Sequence, residues 1–137
     1  MDPNSGFAHW ALGNVYVNKG MYEEAIAEYK VAIPLSGDSP DELASLGYAY
    51  ALSGRRREAQ AVLGELKERS RRRYISPTII AFLHAGLGEK DEAFAWLDRA
   101  VEGRDFILVF LKVDPTYDRL RSDPRFAPLL RRVGLPQ

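Results

Sequence analysis

Cysteine is absent from the 137 residues, so disulfide staples and thiolate metal sites are excluded. Histidine is scarce: His9 and His84 lie far apart, and no HExxH, P-loop, GxSxG or CxxC spacing occurs. No apolar run approaches the roughly 20 residues that span a bilayer, so membrane insertion is not expected. Net charge is also missing, with 19 acids against 19 bases, which removes the global basic excess of a nucleic-acid binder. The opening Asp2-Pro3-Asn4-Ser5-Gly6 is polar where a signal peptide would be apolar. It reads like a linker, and the expectation is one soluble domain, cytoplasmic or part of a larger protein.

What charge there is falls unevenly. Residues 1–54 hold seven acids and two bases, residues 55–73 eight bases and three acids, and residues 74–137 nine of each. The paired acids Glu23-Glu24 and Glu89/Asp91-Glu92 open expected helices, where carboxylates suit the positive end of the dipole. They need no acid–base role, and neither catalysis nor a cofactor is expected.

What is abundant is repetition. Leu12, Gly13, Tyr16, Gly20, Glu24 and Ala25 recur 34 residues later as Leu46, Gly47, Tyr50, Gly54, Glu58 and Ala59. A looser third copy holds Ile80, Ala81, His84, Gly88, Glu92 and Ala93. Each copy reads as two helices: Gly6–Val17 and Tyr22–Ile33, then Pro40–Leu52 and Arg57–Arg69, then a helix from Pro77 to about Leu87 and Lys90–Glu102. Glycines 20, 54 and 88 close the first helix of each copy, and Pro34 is expected to end the second helix of copy one. Ser39-Pro40-Asp41-Glu42 has the form of a capping box, and Ser76-Pro77 starts a helix by the same logic. A 34-residue period of helix pairs means a stack in which neighbours supply each other's core. Small residues at 13, 47 and 81, and alanines at 25, 59 and 93, belong where the helices of a pair cross. The large residues at 12, 46 and 80 belong in the layers between.

These residues resemble the tetratricopeptide repeat (TPR), whose pattern is W-x2-L-G-x2-Y, A-x3-F and P over 34 residues. Leu12-Gly13-Tyr16 with Ala25-Tyr29, and Leu46-Gly47-Tyr50 with Ala59-Leu63, carry the likeness; Ile80-Ala81-His84 with Ala93-Leu97 follows in register. His9, Leu43 and Pro77 replace the family's tryptophan, and Gly37, Arg71 and Asp105 its closing proline. The resemblance implies an all-α, right-handed α–α superhelix with repeats over about 6–37, 40–71 and 74–104, and a C-terminal cap over 105–137. The run Phe106–Leu111 is read as a short buried helix, though its apolar surface could also serve a dimer contact. The last helix is expected to bury Phe126, Leu129, Leu130 and Val133 with Arg131 and Arg132 outward. The tail resembles one that closes TPR regions in bacterial multidomain regulators.

By that resemblance the function is non-catalytic binding of a peptide or helix from a protein partner on the concave side of the first helices. The i, i+4, i+7 face assigns to this groove Phe7, Trp10, Asn14, Val17 with Asn18, Tyr48, Thr78 and Phe82. TPR clamps for chaperone C-terminal carboxylates use Lys, Asn and Arg at positions that here hold Trp10, Asn14, Ser45, Ile75 and Ile79. One of five fits, so an apolar ligand is the better expectation. The alternatives are homodimerisation through Phe7 or Trp10, and binding of nucleic acid or an acidic partner by the arginines of 55–73. The second is disfavoured because no aromatics interleave with those arginines.

Overall fold

The computed structural model describes residues 5–103 and 118–133, which form eight helices and no strand among the described residues. Six make three pairs: α1 (Gly6–Asn18) with α2 (Tyr22–Leu35), α3 (Pro40–Leu52) with α4 (Arg56–Ser70), and α5 (Pro77–Gly86) with α6 (Lys90–Glu102). Two short helices follow, α7 (Asp118–Arg121) and α8 (Phe126–Val133). Each helix packs on its pair partner, α2 packs on α3 and α4 on α5, and the first helices meet as α1 on α3 and α3 on α5. This all-helical succession of pairs agrees with a TPR-like α–α superhelix.

The turns inside the pairs follow from glycine. Gly20, Gly54 and Gly88 adopt φ of 75°, 83° and 78°, a left-handed conformation that costs a residue with a Cβ about 1 kcal/mol or more. The close crossings follow from lack of bulk. A Cβ on Gly13 would lie 2.5 Å from Tyr29 Cε1 on α2, and one on Gly47 would lie 2.8 Å from Val62 on α4 and 3.0 Å from Leu83 on α5. Ala25, Ala59 and Ala93 are fully enclosed on the partner helices.

Three local expectations are corrected. Helix α2 runs through Pro34 to Leu35, because a proline in the last turn gives up one N–H bond without ending the helical φ it already has. Ser39 makes no side-chain cap, and Glu42 does not reach back to it; the buried Glu42 carboxylate accepts from Ser36 Oγ at 2.9 Å across the repeat boundary. Leu12 is not layer-filling like its counterparts, being 40% exposed against 8% for Leu46 and none for Ile80. By contrast, the Ser76 hydroxyl accepts from Thr78 N at 3.3 Å, as its sequence suggests.

At the far end, Leu120, Phe126, Leu129 and Leu130 close over Phe94, Leu97 and Ala100 in a second core cluster. Arg125 fastens this cap: it binds Asp123 through Nε and Nη2 at 3.0 and 2.9 Å and Asp91 of α6 through Nη1 at 2.9 Å, and its guanidinium lies 4.4 Å from the Phe94 ring centre. Bonding to Arg125 pulls the Asp123 carboxyl down to about 2. Arg132 adds a 2.6 Å bond to Asp98. The expected helix over Phe106–Leu111 lies outside the described residues.

Candidate functional site

The groove residues nominated by sequence sit on the first helix of each pair, and the structure sorts them. Tyr48 and Phe82, on α3 and α5, stack at 4.5 Å between ring centres with planes 26° apart, both half-buried. Their close fit requires Gly86, where a Cβ would come within 2.4 Å of the Tyr48 ring. Trp10 is half-buried, donates its indole N–H to Ser45 Oγ at 3.0 Å, and so ties α1 to α3; Ser45 in turn donates to the Asp41 carbonyl at 3.0 Å. Phe7 is 60% exposed and tilts against Trp10 at 5.9 Å.

Asn14 accepts from the Tyr29 hydroxyl at 2.5 Å, so its side chain is engaged in holding α1 to α2. Burial pushes the Tyr29 phenol well above its usual range, with a hydrogen bond to Ser45 acting the other way. Val17 is half-buried and packs on the first core cluster, and Asn18 is exposed. Thr78 departs from its assignment: it is 1% exposed and presents no surface. The reason lies in its repeat column. Trp10 of that column reaches toward the next repeat, and Ala44, the middle member, is likewise buried. Sequence reasoning did not nominate Ser45 as the acceptor for Trp10, although its position four residues from Asp41 places its hydroxyl where helical serines back-bond.

Three arginines of 55–73 are engaged between repeats. Arg55 donates to Glu23 at 2.7 Å, Arg56 to the Leu87 carbonyl at 2.9 Å and Glu89 at 3.3 Å, and Arg69 to the Asp38 carbonyl at 2.9 Å. Arg71 and Arg72 share Glu68. A shallow depression of about 320 Å³ between the 37–38 turn and the end of α4 is lined by Glu68 and Asp38 as well as by arginines. Charge of both signs inside it argues against a phosphate track.

Among the described residues, His84, Glu89 and Glu92 bring ligand-type atoms within 4.8 Å of one another. Two of the three are bonded to each other and to neighbours: His84 Nδ1 bonds Glu89 Oε1 at 2.9 Å, and Gln60 and Arg56 donate to Glu89 Oε2. Burial lowers the His84 imidazole below its ordinary 6.5 against the opposing pull of Glu89. Burial of Glu89 is outweighed by bonds from His84 and Gln60, leaving its carboxyl lowered. The arrangement is a neutral histidine clamping the end of α5 to the start of α6.

No helix of the described residues is long and apolar enough to cross a membrane. Comparison with curated proteins and with solved structures returned no significant match. Residues 13–54, from the middle of α1 through α3, match the family model of the TPR repeat. Helix pairs of the same plan lie on both sides of the α2–α3 junction, an arrangement consistent with a TPR-like α–α superhelix.

Proposed function

We infer that the chain is a non-catalytic binding module that receives an apolar peptide or one face of an amphipathic helix along α1, α3 and α5. The observation that supports this most is the row of half-open aromatics: Phe7 and Trp10 on α1, then the Tyr48–Phe82 stack. Aromatic anchors that keep one face open while a hydrogen bond or a stack fixes their rotamer lose little entropy on binding. No formal charge stands among these nominated side chains, so the ligand face would be apolar rather than acidic.

The chain has two tryptophans, Trp10 and Trp96, so Trp96→Phe leaves Trp10 as a single reporter. Peptides enriched from a displayed random library on this variant should shift Trp10 emission. They should lose at least about tenfold in affinity when Phe7→Ala is added, with circular dichroism unchanged. Enriched peptides that bind without altering Trp10 emission and ignore Phe7→Ala would overturn the assignment. The Tyr48→Ala, Phe82→Ala double variant should also abolish binding, but it is the less clean test because the stack contributes to α3–α5 packing.

A further inference from the structure

The turn inside the third pair gathers a different chemistry from the turns before it. His84 stands in the last turn of α5, Glu89 is the N-cap residue of α6, and Glu92 lies in the first turn of α6. Gly88, at φ 78°, reverses the chain between them, and the Glu89 N–H bonds the His84 carbonyl at 3.0 Å. One ligand-type atom from each of the three side chains then lies within 4.8 Å of the other two. Two packed helices and a turn closed by backbone bonds place these groups, which is the rigid support a binding constellation needs.

The first two pairs serve as internal controls. The columns of His84, Glu89 and Glu92 hold Tyr16, Met21 and Glu24 in repeat 1, and Tyr50, Arg55 and Glu58 in repeat 2. Glu92 belongs to the plan of every repeat, whereas His84 and Glu89 are particular to the third. In repeat 2 the same two columns meet as a guanidinium 6.0 Å from an aromatic ring centre; in repeat 3 imidazole Nδ1 lies 2.9 Å from carboxylate Oε1. Both members of the touching pair are now metal-ligating types. The surrounding bonds suit coordination as well. Gln60 and Arg56 hold Glu89 through Oε2, which orients the carboxylate and leaves Oε1 toward the imidazole. His84 is 2% exposed, and its Nε2 has no hydrogen-bond partner among the described residues. That nitrogen can carry the ring's one proton, which turns Nδ1 into a lone pair directed at Glu89.

We propose that His84 Nδ1, Glu89 Oε1 and the Glu92 carboxylate bind a divalent transition ion of the Zn²⁺ class, with water completing the coordination. Donors bonded at about 2.1 Å lie about 3.0–3.4 Å apart on an octahedral or tetrahedral ion. The 2.9 Å between Nδ1 and Oε1 therefore needs little opening. The ion takes the place of the proton between them: Nδ1 gives up its proton, Nε2 takes one, and the imidazole stays neutral. Burial already lowers this imidazole, so at neutral pH it is in the form that a metal requires. One imidazole nitrogen with two carboxylate oxygens suits Zn²⁺, Co²⁺ or Mn²⁺ better than Ca²⁺ or Mg²⁺, which take oxygen ligands. Arg56 beside Glu89, and Lys67 acting on His84, oppose the added positive charge, so the three ligands must outweigh two cations. The site uses no residue of the proposed peptide groove and is independent of it.

Calorimetric titration of the metal-free intact chain with Zn²⁺ near neutral pH should show one ion bound per chain, with Mg²⁺ and Ca²⁺ silent. Co²⁺ should give visible absorption bands. In a nitrogen–proton NMR spectrum the His84 ring signals should move on Zn²⁺ addition while those of His9, the other histidine, stay in place. His84→Tyr, which restores the residue of the other copies, should weaken Zn²⁺ binding at least about tenfold with circular dichroism unchanged. Glu92→Gln should do the same, and at an exposed position its loss of affinity cannot be ascribed to misfolding. His9→Gln should leave binding intact. A chain that binds neither Zn²⁺ nor Co²⁺ overturns the proposal, as does binding that is indifferent to either His84→Tyr or Glu92→Gln, or that is lost with His9→Gln.

Discussion

Helices α1 and α5 are alike in composition and opposite in situation. Neither contains an aspartate, glutamate, lysine or arginine, and both are mostly apolar. Yet seven of the ten residues of α5 are buried, whereas in the thirteen of α1 the buried positions are Gly6 and Gly13. The difference is one of neighbours. α5 lies among α3, α4 and α6, while α1 meets α2 and α3 and keeps its remaining sides open. A charge-free helix records how much surface it is suited to bury; only the packing shows how much the isolated chain buries. Part of the unmet surface of α1, on the Trp10 side, is the basis for the peptide-binding proposal.

The comparison breaks first in stability. Ile80 and Leu12 occupy one repeat column, so truncation should separate them clearly. Ile80→Ala opens a cavity in an enclosed site and should cost about 2–5 kcal/mol. Leu12→Ala in dilute monomer should cost about 1 kcal/mol or less, since much of its side chain already meets water. Urea unfolding measures both, and equal losses would mean that Leu12 is as enclosed in solution as Ile80.

A smaller effect sharpens the α5 side. His84 is enclosed and its imidazole is lowered by burial, so the unfolded chain takes up a proton near pH 6.5 before the folded chain does. Stability from this source is therefore complete above about pH 6.5 and is lost as pH falls from there through the lowered folded value. The urea midpoint should drop between pH 7.5 and pH 5.5, and His84→Tyr, which restores the residue found at Tyr16 and Tyr50, should flatten that drop. A midpoint that rises on acidification would show that the His84–Glu89 contact favours the charged imidazole.

Much of the fold could be read from residues with strong backbone preferences or strict size limits. Gly20, Gly54 and Gly88 marked the turns, and Gly13 with Ala25 marked the crossing, because few other side chains fit there. The misreadings arose where the deciding contact comes from another repeat. Glu42 pairs with Ser36 rather than completing a box with Ser39, since a buried carboxylate takes the donor that the neighbouring turn brings. Leu12 looks like a core residue because its column is a core column, and only its place in the first pair leaves it open. Thr78 shares the helical face of Phe82 but sits in the column that turns toward a neighbour, as Trp10 does toward Ser45. Periodicity finds the face of a helix; it does not say which neighbour reaches that face.

Hydrogen exchange of the intact chain with and without an enriched peptide tests most directly the claim that the open aromatic side of α1 receives a ligand. The amides of α1 should gain protection as peptide is added, while those of α5 stay protected throughout. Protection of α1 that does not change when peptide binds would contradict the account.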